Sequence, residues 1–132
     1  MKKSVKQLVD EATSQIETLS IEEAQDLYGK DSVTFIDIRD IRELERDGQV
    51  PGAVHAPRGM LEFWVDPESP YHRDLFANGN RFVLFCAAGW RSALATKTVQ
   101  DMGLENVCHI EGGFGAWKEA GAPIEARPAR KS

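Results

Sequence analysis

Two apolar runs rich in β-branched and aromatic residues, "VTFIDI" at 33–38 and "RFVLFC" at 81–86, constrain the fold of this chain most. Each is too apolar for a strand with one wet face, so both predict strands buried on both sides. A helical pattern follows each one. "IRELERDG" gives a turn or two closing on Gly48, and "RSALATKTVQDMG" predicts a helix from Arg91 to about Met102 with Gly103 as its stop. "VPGAVHAP" reads as a turn and a very short strand. "NVCHIEGG" reads as a last strand, and "FGAWKEAGAPIE" as a short helix with a Gly/Pro exit. Strands alternating with helices at this spacing indicate a parallel sheet covered by helices on both faces.

Two segments lie outside that alternation. Val5, Leu8, Val9, Ala12 and Ile16 fall at helical spacing, predicting an amphipathic helix over residues 4–17. Ser20 with Glu23 forms a capping box that opens a second helix. The chain is therefore divided into an N-terminal helical extension (1–18), a domain (19–126) and a disordered tail (127–132). Between Pro57 and Arg81 runs a long connection holding Phe63, Trp64, Pro67 and Pro70. The aromatic residues favour short ordered helices over a floppy loop.

Composition narrows the partners. A net charge of −5 argues against nucleic acid or an anionic membrane surface, and no apolar run spans a bilayer. The N-terminus lacks the apolar stretch of a signal peptide, and two cysteines make no disulfide framework or CxxC metal site. A reducing cytoplasm is the expectation, with no metal and no cofactor.

The informative stretch is "FCAAGWRSALA". Cys86 stands where a strand stops and a helix begins, the edge at which open α/β sheets bind ligands. Ala87, Ala88 and Gly89 are small enough for the backbone to curl around the sulfur and aim N–H groups at it, and the helix N-terminus reinforces them. Both effects favour the anionic, nucleophilic sulfur. Arg91 adds a fixed positive charge that can brace loop carbonyls or meet an anionic substrate. Ser92 is placed to cap the helix or to donate to the sulfur. A cysteine filling space is the competing reading, but a small-residue turn ending in Gly-x-Arg-Ser has no packing rationale of its own.

"CAAGWRS" resembles the active-site loop of the rhodanese-type sulfurtransferases, Cys-x-x-Gly-x-Arg-Ser/Thr. "FIDIRD" resembles that family's Asp-x-Arg strand, "DGQVPGAVHAP" its Gly-His-Ile-Pro-Gly-Ala segment and "IEGGFGAWKEAGAPIE" its closing Gly-Gly-x-x-x-Trp helix. Gln49 departs from the usual histidine, in a turn away from the chemistry. The resemblance implies a rhodanese-like three-layer α/β/α fold, a five-stranded parallel sheet flanked by helices, here with the extra N-terminal helix. It also implies that Cys86 carries a sulfane sulfur, taken from thiosulfate or an organic persulfide, cradled by the backbone of Ala87, Ala88, Gly89, Trp90, Arg91 and Ser92, and passed to cyanide or a thiol.

Two alternatives stay open: a persulfide relay or binding module acting on a protein partner, and a phosphatase or arsenate reductase. The four residues between Cys86 and Arg91 disfavour the latter, since related phosphatases carry one more. Asp37 and Arg39 read as a structural pair and His55 as a structural histidine. Arg58 reads equally as a residue steering an anionic donor and as a solvated loop arginine. Trp90, with Trp64 or Phe63, is expected to give an apolar rim that favours organic persulfides. Cys108 and Trp117 are read as core.

Overall fold

The computed structural model describes residues 1–129. The strands are β1 (Glu17–Leu19), β2 (Val33–Asp37), β3 (Val54–His55), β4 (Arg81–Phe85) and β5 (Val107–Ile110). The helices are α1 (Val5–Thr13), α2 (Ile21–Leu27), α3 (Ile41–Asp47), α4 (Leu61–Val65), α5 (Trp90–Met102) and α6 (Gly113–Glu119). The strands form one sheet in the order β1-β5-β4-β2-β3, with every neighbouring pair parallel. The expected three-layer α/β/α fold is the one the chain adopts. No helix among the described residues is long and apolar enough to cross a membrane.

Strand periodicity divides the core in two. Along β4, Phe82 and Leu84, and then Cys86, join Ile36, Leu61, Val65, Ala95 and Val99 on the face covered by α4 and α5. Val83 and Phe85 point the other way, joining Phe35, Cys108, Phe114 and Trp117 under α2 and α6. Neither face is wet, which is why both runs are apolar throughout. Trp117 is buried and donates its indole N–H to the Pro123 carbonyl at 2.7 Å, so the largest core side chain is also satisfied.

Helix ends follow the local chemistry. Ser20 and Asp40 cap α2 and α3, each in a reciprocal box with Glu23 or Glu43. The long connection forms a 3-10 turn at Arg58–Met60, then α4, then a second 3-10 turn at Asp74–Ala77; Leu61, Val65 and Phe76 are its buried anchors. Arg73 lies 4.0 Å over the Trp64 ring.

One element differs from the sequence reading. The first helix ends at Thr13 rather than near residue 17, and Glu17–Leu19 pairs as an edge strand with β5. Leu19 becomes almost fully buried there, which favours the strand over extending an exposed helix. Helix α1 meets the domain through buried Val9 and Ala12, leaving Val5 and Leu8 exposed. At the other terminus, Arg127 is half-buried and donates to Gln49 Oε1 at 3.2 Å, within the stretch expected as a disordered tail. Residues 130–132 of that stretch lie outside the described residues.

Candidate active site

Cys86 follows directly on β4 and is only 1% exposed. The chain then turns through Gly89, whose φ of 113° lies in the left-handed region that favours glycine. This turn directs two backbone donors at the sulfur: the Gly89 N–H at 3.1 Å and the Ser92 N–H at 3.4 Å. Both belong to the opening of α5, so the sulfur faces two backbone donors and the N-terminal end of that helix. The loop's outer side is held by α6. Phe114 N–H donates to the Cys86 carbonyl at 2.8 Å and Gly115 N–H to the Ala87 carbonyl at 3.0 Å. With the carbonyls drawn outward to α6, the N–H groups face inward to the sulfur.

Ser92 does not cap α5, whose N-cap position is Gly89, with no side-chain cap. Its fully buried hydroxyl lies 3.5 Å from Cys86 Sγ, 3.3 Å from the Gly89 carbonyl and 2.9 Å from His109 Nδ1. Trp90 stands at the loop's tip, 51% exposed, and Ala88 is also exposed. Arg91 turns away from the loop carbonyls and makes a two-pronged ion pair with Glu43 of α3, at 2.7 and 2.9 Å. That pair holds the Glu43 carboxyl below the usual range, its hydrogen bonds from Arg91 outweighing burial.

The neighbouring sheet edge is built from β2 and the segment after β3. Arg39 is fully buried, bonding Asp37 with its Nε and Nη2 groups and the Gly48 carbonyl with Nη2, and lying 4.1 Å over Phe114. It is structural, as read from the sequence. His55 Nε2 sits 2.7 Å from the Arg39 carbonyl, also a structural contact. The Arg58 amide donates to the Ile38 carbonyl, which fixes Arg58 at this edge, while its guanidinium pairs with Glu62 at 2.6 Å. The two arginines considered for an anionic substrate are therefore each matched by a carboxylate.

Cys108 is fully buried in the opposite packing cluster from Cys86, and burial pushes its thiol up to about 11. It is core, as expected.

Two contributors escaped sequence reasoning. Glu43 lies 48 positions from Arg91, and helix packing alone brings them together. His109 lies on β5, where its Nε2 is 3.0 Å from Thr18 Oγ1 across the β1–β5 pair. It is 4% exposed, and burial lowers its imidazolium to about 4, so it is neutral at physiological pH. The only signal for it in the sequence was one polar residue inside the apolar run "VCHI".

The family model of the rhodanese-like domain matches residues 20–120. A solved structure from Rhodopseudomonas palustris, described as a protein of unknown function and a possible tyrosine phosphatase, is 55% identical. It covers 95% of this chain and 96% of its own, with a TM-score of 0.92. The solution structure of a polysulfide-sulfur transferase homodimer from Wolinella succinogenes is 32% identical over 90% of this chain and 85% of its own, TM-score 0.68. An uncharacterized protein of Synechocystis sp. is 30% identical over 80% of this chain and 54% of its own length. The chain thus spans about half the length of the first curated relatives it matches.

Proposed function

The chain belongs to the rhodanese-like domain family, and from that premise we propose that it is a sulfurtransferase with Cys86 as the sulfur carrier. The observation that supports this most is the pair of backbone N–H groups converging on a buried sulfur at the mouth of a parallel sheet. In the first half-reaction the Cys86 thiolate attacks the outer sulfur of a persulfide or of thiosulfate. The donor's S–S bond breaks, and its electron pair leaves with the donor's thiolate or with sulfite. In the second, a thiolate or cyanide attacks the terminal sulfur and Cys86 departs as thiolate. Electrons balance without a further reagent, and splitting the transfer lowers each barrier.

Charge matching in the site favours one donor class. Arg91 is held by Glu43 and Arg58 by Glu62, which leaves little net positive potential for a dianion, while Trp90 offers an apolar face. Organic persulfides are the donors we assign. Glu43→Gln should therefore shift the preference, freeing Arg91 and raising kcat/KM for thiosulfate by about fivefold, the effect of roughly 1 kcal/mol. The value for a zwitterionic organic persulfide of no net charge, such as cysteamine persulfide, should change much less. Steady-state kinetics with both donors checks this, and an unchanged ratio would refute the charge-matching argument.

The sulfur-carrier reading itself is tested by intact mass after incubation with thiosulfate or glutathione persulfide, on wild type and Cys86→Ser. A gain of one sulfur atom on wild type only, reversed by cyanide, is expected. The R. palustris neighbour's description motivates a second arm. Turnover of a chromogenic phosphate ester without sulfur loading would replace the present reading with phosphatase activity. Only four residues separate Cys86 from Arg91, and the guanidinium is already engaged by Glu43, so no turnover is expected.

A further inference from the structure

Behind the active-site loop runs a chain of polar side chains that sulfur transfer as described leaves unused. From Cys86 Sγ it passes to Ser92 Oγ at 3.5 Å, then to His109 Nδ1 at 2.9 Å, and from His109 Nε2 to Thr18 Oγ1 at 3.0 Å. Ser92 and His109 are buried, whereas Thr18 is half-buried on β1, the edge strand of the sheet. The chain therefore links a sulfur that solvent hardly reaches to the rim of the fold.

A serine hydroxyl has one proton, and this one has three neighbours able to accept it: the sulfur, the Gly89 carbonyl and His109 Nδ1. Which one receives it depends on the imidazole tautomer. With hydrogen on Nε2, Nδ1 accepts from Ser92, and Ser92 oxygen is free to accept from a Cys86 thiol. With hydrogen on Nδ1, His109 donates to Ser92, and the hydroxyl proton is free to turn toward a sulfur anion.

We propose that His109 is a positioning residue for Cys86, whose tautomer change turns the Ser92 hydroxyl from acceptor to donor as the sulfur ionises. The protons balance along the chain. The Cys86 proton passes to Ser92 oxygen, that of Ser92 to His109 Nδ1, that of His109 Nε2 to Thr18 oxygen, and that of Thr18 to water. Sulfur loses one proton, water gains one, and His109 stays neutral throughout. Burial of the imidazole supports this, because a ring held neutral down to about pH 4 responds by exchanging tautomers rather than by charging. In the ionised state the sulfur gains a third donor beside the Gly89 and Ser92 amides. The catalytic importance of this device rests on the sulfur-carrier reading, whereas the tautomer change does not.

The test uses the reduced full chain labelled with 15N-histidine. The three histidines are separated by comparison with His109→Asn. Ring-nitrogen shifts are followed with pH beside thiolate absorbance, with Cys86→Ser distinguishing Cys86 ionisation from that of Cys108. The expected result is that the two His109 nitrogens exchange protonated and unprotonated character as Cys86 ionises, and that they do not in Cys86→Ser or Ser92→Ala. A single tautomer before and after Cys86 ionisation would overturn the proposal. No sulfur donor is used, so this outcome is separate from a failure of sulfur loading. In steady-state sulfur transfer to cyanide, His109→Phe should lower kcat roughly tenfold, about one charge-assisted hydrogen bond, with KM unchanged. His109→Asn, whose amide can take the place of Nδ1, should recover part of that loss. Wild-type kcat in a folded His109→Phe protein would also overturn it.

Discussion

Gly113→Ala should reduce sulfur loading by about 100-fold and destabilise the protein by about 3–5 kcal/mol. Gly113 opens α6 with φ of 57°, and a Cβ there would lie 2.3 Å from the Cys86 carbonyl oxygen and 2.9 Å from the Ala87 carbonyl carbon. Both obstacles are backbone, so neither can swing aside as a flexible side chain would. Relief requires α6 to move off the loop. That movement breaks the Phe114 and Gly115 amide bonds to the Cys86 and Ala87 carbonyls, each worth about 1 kcal/mol. The left-handed backbone adds about 1 kcal/mol for a non-glycine residue. Once released, the loop no longer aims its N–H groups at the sulfur, so activity falls with stability. Gly79→Ala separates the two contributions, because Gly79 also has positive φ (79°) but open space around it. Urea unfolding should show only the backbone component there, with full loading activity. Equal losses in the two variants would mean that the close approach of α6 is unimportant.

Arg39→Ala is the second large effect, about 3–5 kcal/mol of destabilisation in urea unfolding. Arg39 and Asp37 have side-chain exposures of 0% and 2%, joined at 2.7 Å. Removing the arginine leaves Asp37 as a buried carboxylate with no cation, and it also removes the bond to the Gly48 carbonyl and the contact with Phe114. Replacing both partners with apolar residues of similar volume, Asp37→Leu with Arg39→Met, should be less damaging than Arg39→Ala alone, because no charge is stranded. A single variant within 1 kcal/mol of wild type would show that the carboxylate finds another partner. The position matters to function because Phe114 donates to the Cys86 carbonyl, so Arg39 supports the loop from behind.

What could be read from the sequence follows the range of the interactions involved. Strands β2 and β4 were visible because burial on both faces makes a nearly continuous apolar run, β5 from the short run "VCHI" despite His109, α2 because its cap Ser20 lies three residues from Glu23, and α3 because Gly48 stops its helical pattern. The Cys86 loop was visible for the same reason: both of its backbone donors, Gly89 and Ser92, lie within its own next six residues. Strand β1 was not, since three residues at a sheet edge carry no pattern that outweighs a neighbouring helical one. Only pairing with β5 defines it. Glu43 and His109 were missed for a related reason. They reach the loop from 48 and 17 positions away, and their approach is set by packing and register rather than by composition. Arg58 and Arg91 were recognised as charges, but their carboxylate partners, which decide the site's net potential, became visible only in three dimensions.

The outer strands are β1, with three residues, and β3, with two. Such short borders present too few free backbone groups to recruit a foreign strand, so the apolar interior of the sheet is not matched by an adhesive margin. The apolar segments β2 and β4 are both enclosed between neighbouring strands, so neither is offered as an open edge for strand addition.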